Sequence, residues 1–175
     1  MFYTQMQAAQ KGIVTDAMKV VAEKENMDVE VLRDLVAKGH VTIPCNKHHT
    51  SLQPEGIGQK LRTKINVNLG TSKDCTDYEE EMKKVHHAVA LGAESIMDLS
   101  THGDTKVFRR LLTKECPVMI GTVPIYDSVI HHQKDLGELT AEDFISTIRL
   151  HAEDGVDFVT LHCGITQHTV EQIKL

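Results

Sequence analysis

Apolar positions along this chain follow two regimes. Over residues 1–40 they recur at helical spacing. Thr15 and Asp16 can cap a helix that buries Met18, Val21 and Ala22 and runs to Asn26. Asp28 can cap a second, with Val31, Leu32, Leu35 and Val36 on one face and a stop at Gly39. Residues 41–46 read as a strand that Pro44 confines to an edge or irregular position, and residues 47–60 as a polar loop. From there four short apolar runs, 64–70, 95–100, 118–126 and 158–164, each close on a polar or sulfur-bearing residue. Asn68, Met97 and Tyr126 are 29 residues apart, and His162 follows after 36 more. A strand–helix unit of that length predicts parallel β/α architecture, with strands covered on both faces.

The intervening segments carry helix signals. Asp77 with Glu80 opens a helix that buries Met82, Val85 and Val89 and stops at Gly92. Asp104 opens one with Val107, Phe108, Leu111 and Leu112. A longer loop through His131 and His132 to Gly137 follows the third strand. Thr140 with Asp143 caps a helix whose Phe144, Ile145, Ile148 and Ala152 face inward, and Thr166 starts a last helix to Leu175. The expected fold is α/β: an N-terminal helical and loop segment over 1–60, then four β/α units over 61–175. That is about half of a parallel (β/α)8 barrel, which normally takes roughly 250 residues. The sequence therefore reads as the N-terminal part of a longer enzyme.

Composition narrows the function class. The chain has 175 residues, a net charge of −6, 41% hydrophobic and 25% charged residues, which suits one globular, cytoplasmic domain and argues against general nucleic-acid binding. No apolar run approaches the ~18 residues of a membrane span. Cys45, Cys75, Cys116 and Cys163 are 30, 41 and 47 residues apart, so no local thiolate knuckle exists, and most are expected to be buried or half-buried thiols. Eleven histidines include three adjacent pairs, 48–49, 86–87 and 131–132, whose members point in different directions and read as surface or loop residues.

Candidate chemistry lies at the strand ends, which converge on one mouth in a parallel barrel. Asn66 and Asn68 alternate onto one strand face, where an interior amide either satisfies backbone or binds ligand. Met97 either fills core or lines the mouth. Asp98 either orients a partner or binds a cation. Tyr126 can donate from its phenol, and His162 can bind phosphate, transfer a proton or ligate metal.

Gln5-Met6, Asn66-Val67-Asn68-Leu69-Gly70, Ile96-Met97-Asp98-Leu99-Ser100, Gly121-Thr122-Val123-Pro124-Ile125-Tyr126 and His162-Cys163-Gly164 resemble the ThiC family, the phosphomethylpyrimidine synthases of thiamin biosynthesis. The resemblance implies a non-classical radical S-adenosylmethionine lyase on a (β/α)8 barrel. Such an enzyme rearranges 5-aminoimidazole ribonucleotide into 4-amino-5-hydroxymethyl-2-methylpyrimidine phosphate. It implies a [4Fe–4S] cluster on a C-terminal Cys-x-x-Cys-x-x-x-x-Cys motif, S-adenosylmethionine, a zinc ion and a homodimer. It places substrate binding on Asn68, Met97, Tyr126 and His162: Asn68 and Tyr126 hydrogen-bonding, Met97 packing on the imidazole, His162 at the ribose or phosphate end. The cluster motif, the later substrate contacts and the metal ligands are absent from this sequence, so the chain alone is expected to be inactive and to hold no metal. The paralogous 5-hydroxybenzimidazole synthase of anaerobic cobamide biosynthesis starts from the same ribonucleotide and remains an alternative. So do a non-catalytic half-barrel that binds or assembles, and a barrel enzyme using His162 and Asp98 as acid and base.

Overall fold

The structure is a computed structural model that describes residues 4–174, so residues 1–3 and the expected helix end at Leu175 lie outside the described residues. Local capping sets the first elements. Helix α1 (Gln5–Gln10) opens at Thr4, and α2 (Asp16–Lys24) opens where Thr15 Oγ1 accepts from the Met18 amide. Helix α3 (Val29–Ala37) opens where the Asp28 carboxylate accepts from the Glu30 and Val31 amides. These helices bury Ala8, Met18, Val21, Leu32, Leu35 and Val36 together with Val41 and Ile43. Val31 is 44% exposed rather than inward, because the contact stripe runs through Leu32, Leu35 and Val36 and leaves it on the flank. The strand expected over 41–46 shrinks to β1 (Val41–Thr42), antiparallel to β2 (Ile57–Gly58), with Pro44 unable to donate to a longer ladder.

A four-stranded parallel sheet follows, in the order β3 (Asn66–Leu69), β4 (Ser95–Asp98), β5 (Met119–Thr122), β6 (Phe158–Val159). Helix α4 (Tyr78–Ala90) connects β3 to β4, and α5 (Thr105–Glu115) connects β4 to β5. Helices α6 (Pro124–His132) and α7 (Ala141–Glu153) lie between β5 and β6, and α8 (Gln167–Ile173) comes last. The arrangement is α/β and matches half of a β/α barrel. Val67, Leu69, Ile96 and Ile120 point outward, onto Met82, Val85, Phe108 and Leu112 of the covering helices. By register the other face carries Asn66, Asn68, Ser95, Met97, Met119, Gly121 and Phe158. A Cβ at Gly121 would come within 2.3 Å of the Phe158 ring, so only glycine lets that ring lie across the inner face.

All four strands of the repeat are shorter than expected, the third and fourth by the most. The third ends at Thr122 because Pro124 takes the first position of α6, where a fixed φ and a missing N–H favour helix. The segment expected as loop through His131 and His132 is therefore helical, and ends at Gln133 with φ +53. In the fourth, only Phe158 and Val159 pair with β5, and the chain runs on to Thr166 without further ladder. Helix α7 also differs: Thr147 and His151 are its buried residues, whereas Ile145 is 50% exposed and Ala152 is exposed. The helix turns a polar stripe inward because it covers a buried polar cluster at α6.

Candidate functional site

The parallel register sets Asn68 directly beside Met97 at the carboxyl ends of β3 and β4. Asn66 Nδ2 donates to Asn68 Oδ1 at 2.8 Å. Both asparagines are exposed, not interior, because β3 is an edge strand, whereas Ser95 and Met119 on the same face of the next strands are buried. Tyr126 stands in the first turn of α6, not on a strand, and is 39% exposed. Its ring centroid lies 6.0 Å from that of His162, with the planes tilted by 39°. His162 is exposed in the segment after β6. The fold thus makes two pairs, Asn68 with Met97 and Tyr126 with His162, both following strand carboxyl ends. Among the described residues neither the Tyr126 phenol nor the His162 imidazole makes a side-chain hydrogen bond, and no such contact joins the two pairs.

Asp98 belongs to the other face. It pairs in register with Leu69 and Thr122, is 5% exposed, and its Oδ1 accepts from the Ser100 amide at 2.9 Å and the Ser100 hydroxyl. Burial pushes its carboxyl up, against the opposing Ser100 hydrogen bonds and the charges of Arg109 and His151. It pins the exit of its own strand and does not face the mouth. Beside it Gly70 has φ +143, and a Cβ there would fall 2.6 Å from the Ser100 amide nitrogen, so the β3 exit passes close against that of β4.

A buried polar cluster lies behind Tyr126 and was not legible in the hydrophobic pattern. Asp127 accepts from His151 Nε2 at 2.8 Å, from an Arg109 guanidinium nitrogen at 3.1 Å and from the Thr105 hydroxyl. The other ring nitrogen, His151 Nδ1, is 2.8 Å from Thr122 Oγ1. Arg109 also donates twice to Asp154 Oδ2, at 3.1 and 2.8 Å. Burial would raise the Asp127 pKa, but the His151 and Thr105 hydrogen bonds and the positive charges outweigh it and hold it at about 2. The one clue in the sequence is Thr147 with His151, one helical turn apart on α7. The Thr122–His151–Asp127 chain has the connectivity of a catalytic triad, yet all three are at most 5% exposed, which keeps substrate away from the hydroxyl.

His49 likewise corrects the surface reading of its pair. It is 4% exposed, with Nδ1 2.6 Å from Asp157 Oδ2 and Nε2 2.7 Å from the Cys116 carbonyl oxygen. Asp157 also accepts from the Ile120 and Asn46 amides, both at 2.8 Å. Cys116 is buried, but Cys45, Cys75 and Cys163 are exposed, against the expectation of mostly buried thiols. Among the described residues no group of three or more His, Cys, Asp or Glu is arranged to hold a metal ion. An iron–sulfur cluster takes several close thiolates, so these cysteines do not fit one. No helix among the described residues is long and apolar enough to cross a membrane.

The sequence has counterparts among known proteins. Residues 4–175 match the model of the radical SAM ThiC family. Over 173 residues the chain is 53% identical to a phosphomethylpyrimidine synthase of Clostridium kluyveri, 54% to one of Clostridium novyi and 52% to one of Clostridioides difficile. Each alignment takes in 99% of this chain and 40% of the relative, so the chain spans about two-fifths of the length of those proteins. With a family match along nearly its whole length, the chain belongs to the radical SAM ThiC family.

Proposed function

We propose that this chain is the N-terminal part of a radical S-adenosylmethionine lyase. In this reading the complete enzyme rearranges 5-aminoimidazole ribonucleotide into 4-amino-5-hydroxymethyl-2-methylpyrimidine phosphate. Residues 1–60 form a segment of their own, and residues 61–175 supply half of the barrel and one wall of its substrate site. The carrying observation is the set of strand-end neighbours, Asn68 beside Met97 and Tyr126 against His162, within a chain more than half identical to phosphomethylpyrimidine synthases. An amide and a phenol can hydrogen-bond the heteroatoms of a ribonucleotide, a thioether can pack on a flat imidazole, and an imidazole side chain can meet the ribose or phosphate. The cluster and S-adenosylmethionine, with a zinc ion, are assigned to the rest of the enzyme, since the residues here do not fit a cluster. The complete protein is taken to be cytoplasmic and homodimeric, with no membrane or nucleic-acid partner.

The test compares the complete, anaerobically reconstituted enzyme with the isolated 175-residue chain. With reductant, S-adenosylmethionine and 5-aminoimidazole ribonucleotide, the complete enzyme is expected to yield 5′-deoxyadenosine and the pyrimidine phosphate, and the isolated chain neither. Deoxyadenosine from the isolated chain, or none from the complete enzyme, overturns the proposal. Hydroxybenzimidazole as product would move the chain to the cobamide branch.

A further inference from the structure

Helix α6 begins in an unusual way. Its N-cap residue, Val123, provides no side-chain hydrogen bond, and Pro124 follows it. The local bonds of the first turn, which carries Tyr126, stay within the helix: the Tyr126 amide donates to the Val123 carbonyl at 3.0 Å and the Ser128 hydroxyl to the Pro124 carbonyl at 2.8 Å. The adjoining Asp127 supplies the anchor from within the turn. Its carboxylate gathers three donors from two elements: the Thr105 hydroxyl and the Arg109 guanidinium of α5, and His151 Nε2 of α7. His151 reaches on to Thr122 at the end of β5, at 2.8 Å. The cluster is closed to solvent, and Tyr126 is the neighbouring residue that faces out, toward His162.

We propose that Asp127 and His151 are positioning residues: through the hydrogen-bonded chain Thr122–His151–Asp127 they lock the first turn of α6 against the end of β5, and so fix Tyr126 against His162. The geometry leaves little slack. The helix is fastened at the position directly after the phenol-bearing residue, and both nitrogens of the His151 ring are engaged. An orienting role explains what simple packing does not, namely why three donors converge on the residue directly after Tyr126. The relevance to turnover rests on the proposed role of Tyr126 in substrate binding, while the claim about orientation stands without it.

The test has two arms. In the 175-residue chain, nuclear Overhauser contacts between the Tyr126 and His162 rings report orientation directly. They are expected to be lost in Asp127→Asn and His151→Ala, and largely kept in His151→Gln, whose amide can still donate to Asp127. Asp154→Asn is the control: it disturbs the other buried carboxylate partner of Arg109, which makes no hydrogen bond to α6, and is expected to lower the melting temperature and keep the contacts. In the complete enzyme, Asp127→Asn and His151→Ala are expected to raise KM for 5-aminoimidazole ribonucleotide by about tenfold or more, as sub-ångström misplacement of a binding group does. The inference is overturned if the ring contacts survive in folded His151→Ala, or if Asp154→Asn loses them equally at the same loss of melting temperature. If Asp127→Asn does not fold, the His151 pair decides the question alone. Tyr126→Phe separates the two readings: an unchanged KM there removes Tyr126 from the substrate site, and the ring contacts still decide the positioning claim.

Discussion

The two ends of the parallel sheet are built on opposite plans. At the amino end, charged groups are spent on one another. Arg62 bridges Glu25, Glu55 and Glu94, Lys24 reaches Glu55 at 2.7 Å, and Lys64 pairs with Glu25, both side chains being at most 5% exposed. Glu94 also accepts from the Ile65 amide at 2.6 Å. This network ties the end of α2 to the entries of β3 and β4. At the carboxyl end, Asn68, Tyr126 and His162 are exposed, and only Asn68 has a side-chain hydrogen bond. The same strands therefore meet a charge network at one end, and at the other carry exposed polar side chains beside buried, hydrogen-bonded groups such as Asp98 and Thr122. That is the division of labour expected between the bottom and the mouth of a β/α barrel.

The strongest challenge to this comparison is at Lys64. Lys64→Met leaves the buried Glu25 carboxylate with only the half-exposed Arg62 guanidinium and the Arg62 amide, so it is expected to lower unfolding free energy by about 2 kcal/mol, read by urea denaturation. A loss near zero would dissolve the contrast between the ends.

A second, intermediate effect comes from pH. Burial disfavours the charged His49 ring, but the Asp157 carboxylate and the Cys116 carbonyl, one at each nitrogen, outweigh it and raise its pKa above 6.5. The group contributes stability that is full below the unfolded value of 6.5 and is lost as pH rises through the folded value. Melting temperature should fall over that window, and His49→Gln should flatten the slope. An unchanged slope would mean that the ring is neutral in the fold.

The smallest expected change in stability is at the mouth. Asn68→Ala should shift unfolding free energy by no more than about 0.5 kcal/mol, since the side chain is exposed. On the proposed function, the same change in the complete enzyme should weaken binding of 5-aminoimidazole ribonucleotide by about tenfold, the loss of one good hydrogen bond. A variant that unfolds readily but binds normally would reverse the roles of the two ends.

How far these features could be read from the sequence depended on distance along the chain. The caps at Thr15, Asp28, Asp77, Asp104, Thr140 and Thr166 were all legible, because a cap is settled within three residues. The neighbours Asn68 and Met97 were legible too, because repeat units of near-equal length keep register. The start of α6 was not: Pro124 sits in an apolar run that reads equally as strand. Nor were the buried histidines. His49 finds Asp157 across 108 residues and His151 finds Asp127 across 24, and no periodicity announces a partner on another element. Interior polar groups are made affordable by long-range contacts, which is why binary patterning missed the cluster behind Tyr126 and misassigned the inner face of α7.

On the proposed function, the bond between the two asparagines of β3 has a consequence for recognition. By giving an N–H to the Asn68 carbonyl, Asn66 occupies one of its two lone pairs and leaves the Asn68 NH2 group free to point away. The wall is thereby polarised. It suits a ligand atom that carries electron density, such as an unprotonated ring nitrogen or a phosphoryl oxygen, better than one that offers a proton. Replacing Asn66 with a residue that cannot donate would release that carbonyl and let Asn68 turn over, changing which chemical face of a ligand the strand prefers.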